Sequence, residues 1–279
     1  MKWLLGYSDK KEELPLNYKE VSVPTDVQLE FLQEGAEDIF FGSNFKKYEW
    51  MEDKWWHFKT TIFIEKKEGF IPVLTFKGID YGYTIYIDGK QIIEDEGMFT
   101  PVSINLSEYE GKEIEVLALL HPIPKVEGMA KDRTQASASC IPAVSYGWDW
   151  HPRLVPIGLY DDVELCYKPD TYIKDYNIFY NVTEDLSKVS GYLDVDVVNP
   201  KGDITLEIFE AETCVYKSTA LCTRESRVSF EIDNPKLWWC VSQGEQNMYT
   251  LKLTAGSDSV CKKIGFRKVR LVMNAESVE

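Results

Sequence analysis

The run Gly147-Trp148-Asp149-Trp150-His151-Pro152 places one carboxylate between two indoles, and these are the residues with the most chemistry to offer. An indole face presents apolar surface to the C–H face of a sugar ring. A carboxylate beside it accepts hydrogen bonds from neighbouring hydroxyls. Small-ligand sites commonly combine apolar walls with a few placed polar groups. The same residues also fit a plain structural role, with both indoles packed at a strand end and Asp149 capping a turn.

Other reactive groups are sparse. The three histidines, His57, His121 and His151, are dispersed. A histidine metal site or a Ser-His-Asp triad would need the fold to gather them, and no nucleophile-elbow pattern supports one. His151, next to a proline, reads as a surface residue, although a group titrating near neutrality could tune a site. The six cysteines, Cys140, Cys166, Cys214, Cys222, Cys240 and Cys261, include no Cys-x-x-Cys pair. They read as free, largely buried thiols of a reducing compartment rather than metal or redox ligands. No cofactor and no metal is expected.

These residues need a core to position them. Hydrophobic residues make up 44% of the 279-residue chain and aromatics 13%, which argues against disorder. The 8 Trp and 16 Tyr are a load common in β-sandwiches and carbohydrate binders. A net charge of −15 with no Lys/Arg cluster removes the electrostatic basis for holding nucleic acid. No stretch approaches the length of a membrane span. The N-terminus turns polar too early for a signal peptide, so the expected location is cytoplasmic.

Period-two alternation dominates. Strands are expected over 56–64, 71–76, 83–87 and 114–120, with Asp88-Gly89 as a two-residue hairpin turn. Helical periodicity is confined to 27–35. Residues 123–143 are poor in strand signals and form a long loop leading into the Trp-Asp-Trp run; loops of that length in compact domains are often functional. A second array, over 173–180, 191–198, 204–210, 227–232 and 249–254, fits about seven strands, the size of an immunoglobulin-like sandwich. Pro169 and the residues around it mark the boundary, giving domains 1–168 and 169–279.

Several motifs point to one family. Glu37-Asp38 with Gly42-Ser43-Asn44, then Tyr48-Glu49-Trp50 and Trp55-Trp56-His57-Phe58, resembles the opening of the sugar-binding domain of family 2 glycoside hydrolases. Lys77-Gly78-Ile79-Asp80 running to Asp88-Gly89, with Glu96-Gly97-Met98-Phe99 after it, looks like that domain's central hairpin. Residues 147–152 are similar to the Gly-Trp-Asp-Trp-Gly-Pro run of the β-mannosidase branch. Asn234-Pro235, Leu237-Trp238-Trp239 and Gly265-Phe266-Arg267-Lys268 resemble the closing segments of the family's immunoglobulin-like domain. The likeness spans nearly the whole chain. It departs where His151 replaces a glycine and Cys240 a proline.

The resemblance implies an all-β chain, a jelly-roll (galactose-binding-like) β-sandwich followed by an immunoglobulin-like β-sandwich. In the family a (β/α)₈ barrel comes next, with two glutamates that act as acid/base and nucleophile in a retaining mechanism. The chain stops at Glu279, where the barrel should begin, and no Asn-Glu acid/base pair occurs in it. It therefore carries no catalytic residue of its own. The expectation is the non-catalytic part of an exo-acting retaining β-glycosidase, of β-mannosidase-like or β-galactosidase/β-glucuronidase-like type. Its partners would be a carbohydrate substrate and the missing barrel, with no nucleic acid and no membrane. In the β-mannosidase branch the corresponding run reaches the terminal-sugar subsite, which makes Asp149 and Trp148 the substrate-binding candidates. Trp150 reads as core, as do Trp55, Trp56, Trp238 and Trp239, which serve the core or a domain interface. Arg267 is expected to pair with a carboxylate or with backbone carbonyls. A free-standing carbohydrate-binding protein without hydrolase activity is the alternative. An adhesion module would want secretion and disulfide-spaced cysteines, and neither is evident.

Overall fold

A computed structural model describes residues 1–32 and 38–273. Glu37 of the family-like opening, Gly35 at the end of the expected helical stretch and the terminal 274–279 lie outside the described residues. Strand makes up 48% of the described residues and helix 10%, in agreement with the all-β expectation. Two compact units form, Met1–Tyr167 and Lys168–Glu279.

The strands of the first unit are β1 (Trp3–Ser8), β2 (Lys19–Val21), β3 (Thr25–Asp26), β4 (Trp55–Phe63), β5 (Phe70–Phe76), β6 (Gly82–Ile87), β7 (Lys90–Glu96), β8 (Val102–Asn105), β9 (Glu113–Leu120), β10 (Gly158–Leu159) and β11 (Val163–Pro169). A six-stranded sheet in the order β2-β1-β4-β9-β6-β7 and a three-stranded sheet β11-β5-β8 share one core, in which Trp56 and Phe58 of β4 and Leu74 and Phe76 of β5 are fully buried. Alternation explains the choice of face. Trp56, Phe58, Thr60 and Ile62 of β4 are buried at every second position, as period-two side-chain direction requires. Asp88 (φ 48°) and Gly89 (φ 75°) form the turn between β6 and β7. Two positive φ values in a two-residue loop match the twist of the strands they join. The Asp88 carboxylate also accepts from the Glu115 amide at 2.9 Å, which ties the turn to β9.

Within the described part of the helical stretch one turn forms, α1 (Val27–Glu30), capped by Asp26, which accepts from the Leu29 amide at 3.0 Å. β10 pairs with β3, and its Gly158 also exchanges backbone hydrogen bonds with Asp80. A Cβ on Gly158 would stand 2.3 Å from the Thr25 carbonyl oxygen, so only glycine permits this crossing.

In the second unit, β12 (Tyr172–Val182), β13 (Lys188–Val198) and β16 (Glu225–Asp233) form one sheet. β15 (Thr213–Leu221), β14 (Asp203–Glu210), β17 (Tyr249–Ala255) and β18 (Asp258–Ile264) form the other. Val189, Leu193, Val195 and Val197 of β13 face Ile204, Leu206 and Ile208 of β14 and Leu251 and Leu253 of β17 in one core. Phe266 is fully buried against Tyr180, Phe230 and Tyr249. Arg267 does not pair with a carboxylate among the described residues; its guanidinium lies 5.2 Å from the Trp238 ring centre.

All six cysteines are free, as expected, but they are not largely buried. Cys140, Cys214, Cys240 and Cys261 are exposed and only Cys222 is buried. Cys214 and Cys261 lie on β15 and β18, the two edge strands of their sheet, where half the positions face solvent.

Candidate functional site

The Trp-Asp-Trp run is a tight hairpin. The Trp148 amide donates to the His151 carbonyl at 2.9 Å, and the His151 amide returns a bond to the Trp148 carbonyl at 3.2 Å. Asp149 and Trp150 occupy the tip. Below it the Leu154 amide donates to the Ser145 carbonyl at 3.0 Å, and Gly147 (φ 106°) supplies the bend that leads in from a 3₁₀ turn, Ala143–Tyr146.

The tip is open. Asp149 is exposed, and its carboxylate has no hydrogen-bond or ion-pair partner among the described residues. It does not cap the turn. Trp148 is 37% exposed and Trp150 75%, with ring centres 5.7 Å apart at 53°. Trp150 is therefore not a core residue. Trp150 sits at the tip of this hairpin with its ring in solvent, and the aromatic type alone could not reveal that. The Arg133 guanidinium sits 4.1 Å from the Trp148 ring centre, a cation–π contact that holds that indole in place. The His151 ring hydrogen-bonds the neighbouring Pro152 carbonyl at 2.6 Å.

The turn rests on a buried ionic anchor. Arg153, 7% exposed, grips Glu52 in a bidentate pair, Nε to Oε1 at 3.0 Å and Nη2 to Oε2 at 2.7 Å. Nη2 also donates to Gln135 Oε1 at 3.2 Å, and the Tyr146 ring centre lies 5.2 Å from the guanidinium carbon. Glu52 belongs to a 3₁₀ segment, Asn44–Asp53, and Gln135 to another, Arg133–Ala138. The planar guanidinium fork joins three separate segments in fixed geometry. The long loop 123–143 is thus pinned beneath the turn. Asp132 caps its 3₁₀ segment, and hydrogen bonds from Thr134 hold the Asp132 carboxyl below the usual carboxylate range.

Sequence reasoning missed Glu52, Gln135 and Arg153. Arg153 follows the recognised run directly, and that adjacency is the one signal that could have drawn attention to it. The histidines are not brought together. His57 is buried with Nε2 3.0 Å from Ser8 Oγ, while His121 Nε2 is 2.8 Å from Thr84 Oγ1 and its ring packs on Trp55. Burial lowers the pKa of His57 to about 4 and also lowers that of His121. Among the described residues no three His, Cys, Asp or Glu side chains come together as metal ligands, and no helix is long and apolar enough to cross a membrane.

Comparison with known proteins decides the family. Residues 3–161 match the glycosyl hydrolase 2 galactose-binding domain-like family, and residues 171–267 match glycosyl hydrolases family 2. The chain belongs to glycosyl hydrolase family 2. It is 27% identical to β-mannosidase B of Thermothelomyces thermophilus over 97% of its own length and 34% of that protein. Its fold matches the β-D-mannosidase of Dictyoglomus thermophilum with a TM-score of 0.76 at 24% identity, covering 97% of this chain and 36% of that one. An uncultured Clostridium sp. β-glucuronidase gives a TM-score of 0.66 at 16% identity, over 97% of this chain and 44% of that one. The family 2 chain spans about a third of the length of the curated relatives it matches.

Proposed function

We propose that this family 2 chain is the non-catalytic part of an exo-acting retaining β-glycosidase of β-mannosidase-like type, and that Asp149 binds the sugar. The observation that carries this reading is the exposed, unpartnered Asp149 carboxylate, held between two exposed indoles on a turn braced from below. An exposed carboxylate left free by its own chain is available to accept from sugar hydroxyls. Trp148, fixed by Arg133, supplies apolar wall beside it. Catalysis would come from a barrel supplied by the rest of the enzyme, so the 279-residue chain alone hydrolyses no aryl β-glycoside. Four free, exposed thiols suit a reducing, cytoplasmic setting.

In the intact glycosidase, Asp149→Ala is expected to lower kcat/KM by about one to two orders of magnitude, because a hydrogen bond to a charged group contributes roughly 1.5–3 kcal/mol. The melting temperature of the 279-residue chain should barely move, since the carboxylate holds nothing in its own fold. Unchanged kcat/KM across mannosides, glucosides and galactosides would end the assignment, and so would a large loss of stability.

A further inference from the structure

A second concavity in the first unit shares no residue with the Trp-Asp-Trp turn. After β1 the chain loops out through 9–18 and returns as β2. The loop crosses β1 at Gly6, where a Cβ would stand 2.7 Å from Pro15 Cβ and 2.8 Å from the Asn17 carbonyl oxygen. Between the loop, β1 and Phe31 lies a cleft of about 630 Å³. That is within the ~300–1,000 Å³ typical of small-ligand sites.

Three features of the lining define its chemistry. The first is a rigid aromatic wall. The Tyr7 ring packs 5.1 Å from Trp50, 5.2 Å from the fully buried Trp56 and 5.8 Å from Phe31, yet remains 39% exposed. Tyr18 is a second, partly exposed ring in the same lining. The second is the state of the charges. Asp9 is paired with Lys54, Glu13 with Lys10 at 3.0 Å, and Lys19 with Glu30 at 3.1 Å. Each ionic group of the cleft already has its counter-charge within the chain. The third is the set of polar groups left over. Among the described residues the hydroxyls of Tyr7 and Tyr18 and the side-chain amide of Asn17 have no hydrogen-bond partner.

We propose that this cleft is a second carbohydrate-binding site, which takes a neutral oligosaccharide. The Tyr7 ring, held at fixed orientation, offers C–H contact at little entropic cost. Uncharged donors and acceptors match hydroxyl groups, which can both give and accept. Every charge in the cleft is opposed by a partner, so a charged ligand meets no uncompensated counter-charge there. The open, solvent-facing form of the site and its few polar contacts set the affinity in the millimolar range, as a few hydrogen bonds and one or two ring contacts would give. Such a site would hold a glycan on the chain independently of Asp149.

The test uses the 279-residue chain and three probes, mannobiose, cellobiose and methyl β-glucuronide, followed by amide chemical-shift titration. Mannobiose is expected to produce saturable shifts at Tyr7, Asn17, Tyr18 and Phe31 in the wild type. Asp149→Ala should leave them intact, whereas Asn17→Ala combined with Tyr18→Phe should weaken binding about tenfold. Both positions of that pair lie in a surface loop, and Asn17→Ala alone serves if the pair does not fold. Methyl β-glucuronide should bind more weakly than either neutral sugar. Shifts confined to 145–154, binding lost with Asp149→Ala, a glucuronide that binds as well as mannobiose, or no saturable shift with any probe would each overturn the proposal. Unchanged kcat/KM of Asp149→Ala in the intact glycosidase, with the 5–31 shifts intact, would overturn only the reading of the turn.

Discussion

Arg153→Ala should destabilise the first unit by about 3–5 kcal/mol, the usual cost of removing one partner of a buried ion pair. The Glu52 carboxylate, 3% exposed, loses a bidentate partner and keeps, among the described residues, only Lys125 Nζ at 3.5 Å. Gln135 Oε1 and the Tyr146 ring lose their contacts with the guanidinium as well. Most of the penalty comes from leaving a charge unpaired in a dry place, not from the strength of the pair. Replacing both partners by apolar residues of similar volume, Glu52→Met with Arg153→Met, should therefore recover most of the loss. The two single variants and the double variant form a cycle whose coupling energy should exceed about 2 kcal/mol. Urea denaturation followed by tryptophan fluorescence gives all four values. A cycle with no coupling would show that the pair acts as two independent surface charges.

The same cycle bears on the turn. Trp148 and Trp150 precede Arg153 by five and three residues, and they are exposed. The double variant keeps the packing but frees Gln135 and the Arg133–Ala138 segment from the guanidinium. It should fold, yet show greater acrylamide quenching of tryptophan than the wild type. Stability and turn rigidity are separable in this way because Arg153 does two jobs: it neutralises Glu52 and it joins three segments.

The parts of this architecture that were legible in the sequence are those whose signal is local. The Asp88-Gly89 turn needs two residues with positive φ, and the residue types say so directly. The inner strands β4, β9, β13, β14 and β17 bury every second residue, so their apolar stripe survives in the sequence. Several of the strands not anticipated lack that stripe. β15 and β18, at the edges of their sheet, bury no residue, whereas β16, also an edge strand, keeps the full alternation. β1 is interrupted by Gly6 at the point where the loop crosses it. The Trp-Asp-Trp run was readable as a motif, but not its mode of exposure. Whether an indole at a hairpin tip faces core or solvent depends on the direction of the turn, which indole chemistry does not encode. The Glu52–Arg153 pair was the least legible. Its members are 101 residues apart, and a glutamate in Met51-Glu52-Asp53 looks like any other surface acid until the fold closes over it.

The pH dependence of stability should be governed by a second buried carboxyl, and Asp80→Asn should expose it. Asp80 is 1% exposed, and its Oδ1 has no partner among the described residues. Burial, and then the neighbouring charge of Asp26, pushes its pKa up to about 7. In the unfolded chain an aspartate titrates near 3.9. Between those values the native state keeps a proton that the unfolded state releases. The Asp80 contribution is therefore full at low pH and is lost as pH rises through the window, by up to about 4 kcal/mol. His57 works in the opposite direction. Its pKa falls from 6.5 to about 4 on burial, so its contribution is full above 6.5 and is lost as pH drops towards 4. Over the shared range of about pH 4 to 6.5 the two slopes oppose each other, and the wild type should show a shallow profile. Asparagine has nearly the shape of the protonated acid and cannot ionise. Asp80→Asn should match the wild type near pH 4 and become the more stable protein above about pH 7, by as much as roughly 4 kcal/mol. The difference between the two profiles isolates Asp80, because His57 and the surface carboxylates are common to both. Urea titrations of both proteins across this range measure it. Parallel profiles would mean that the Asp80 carboxyl is already ionised, and hydrogen-bonded, in the folded chain.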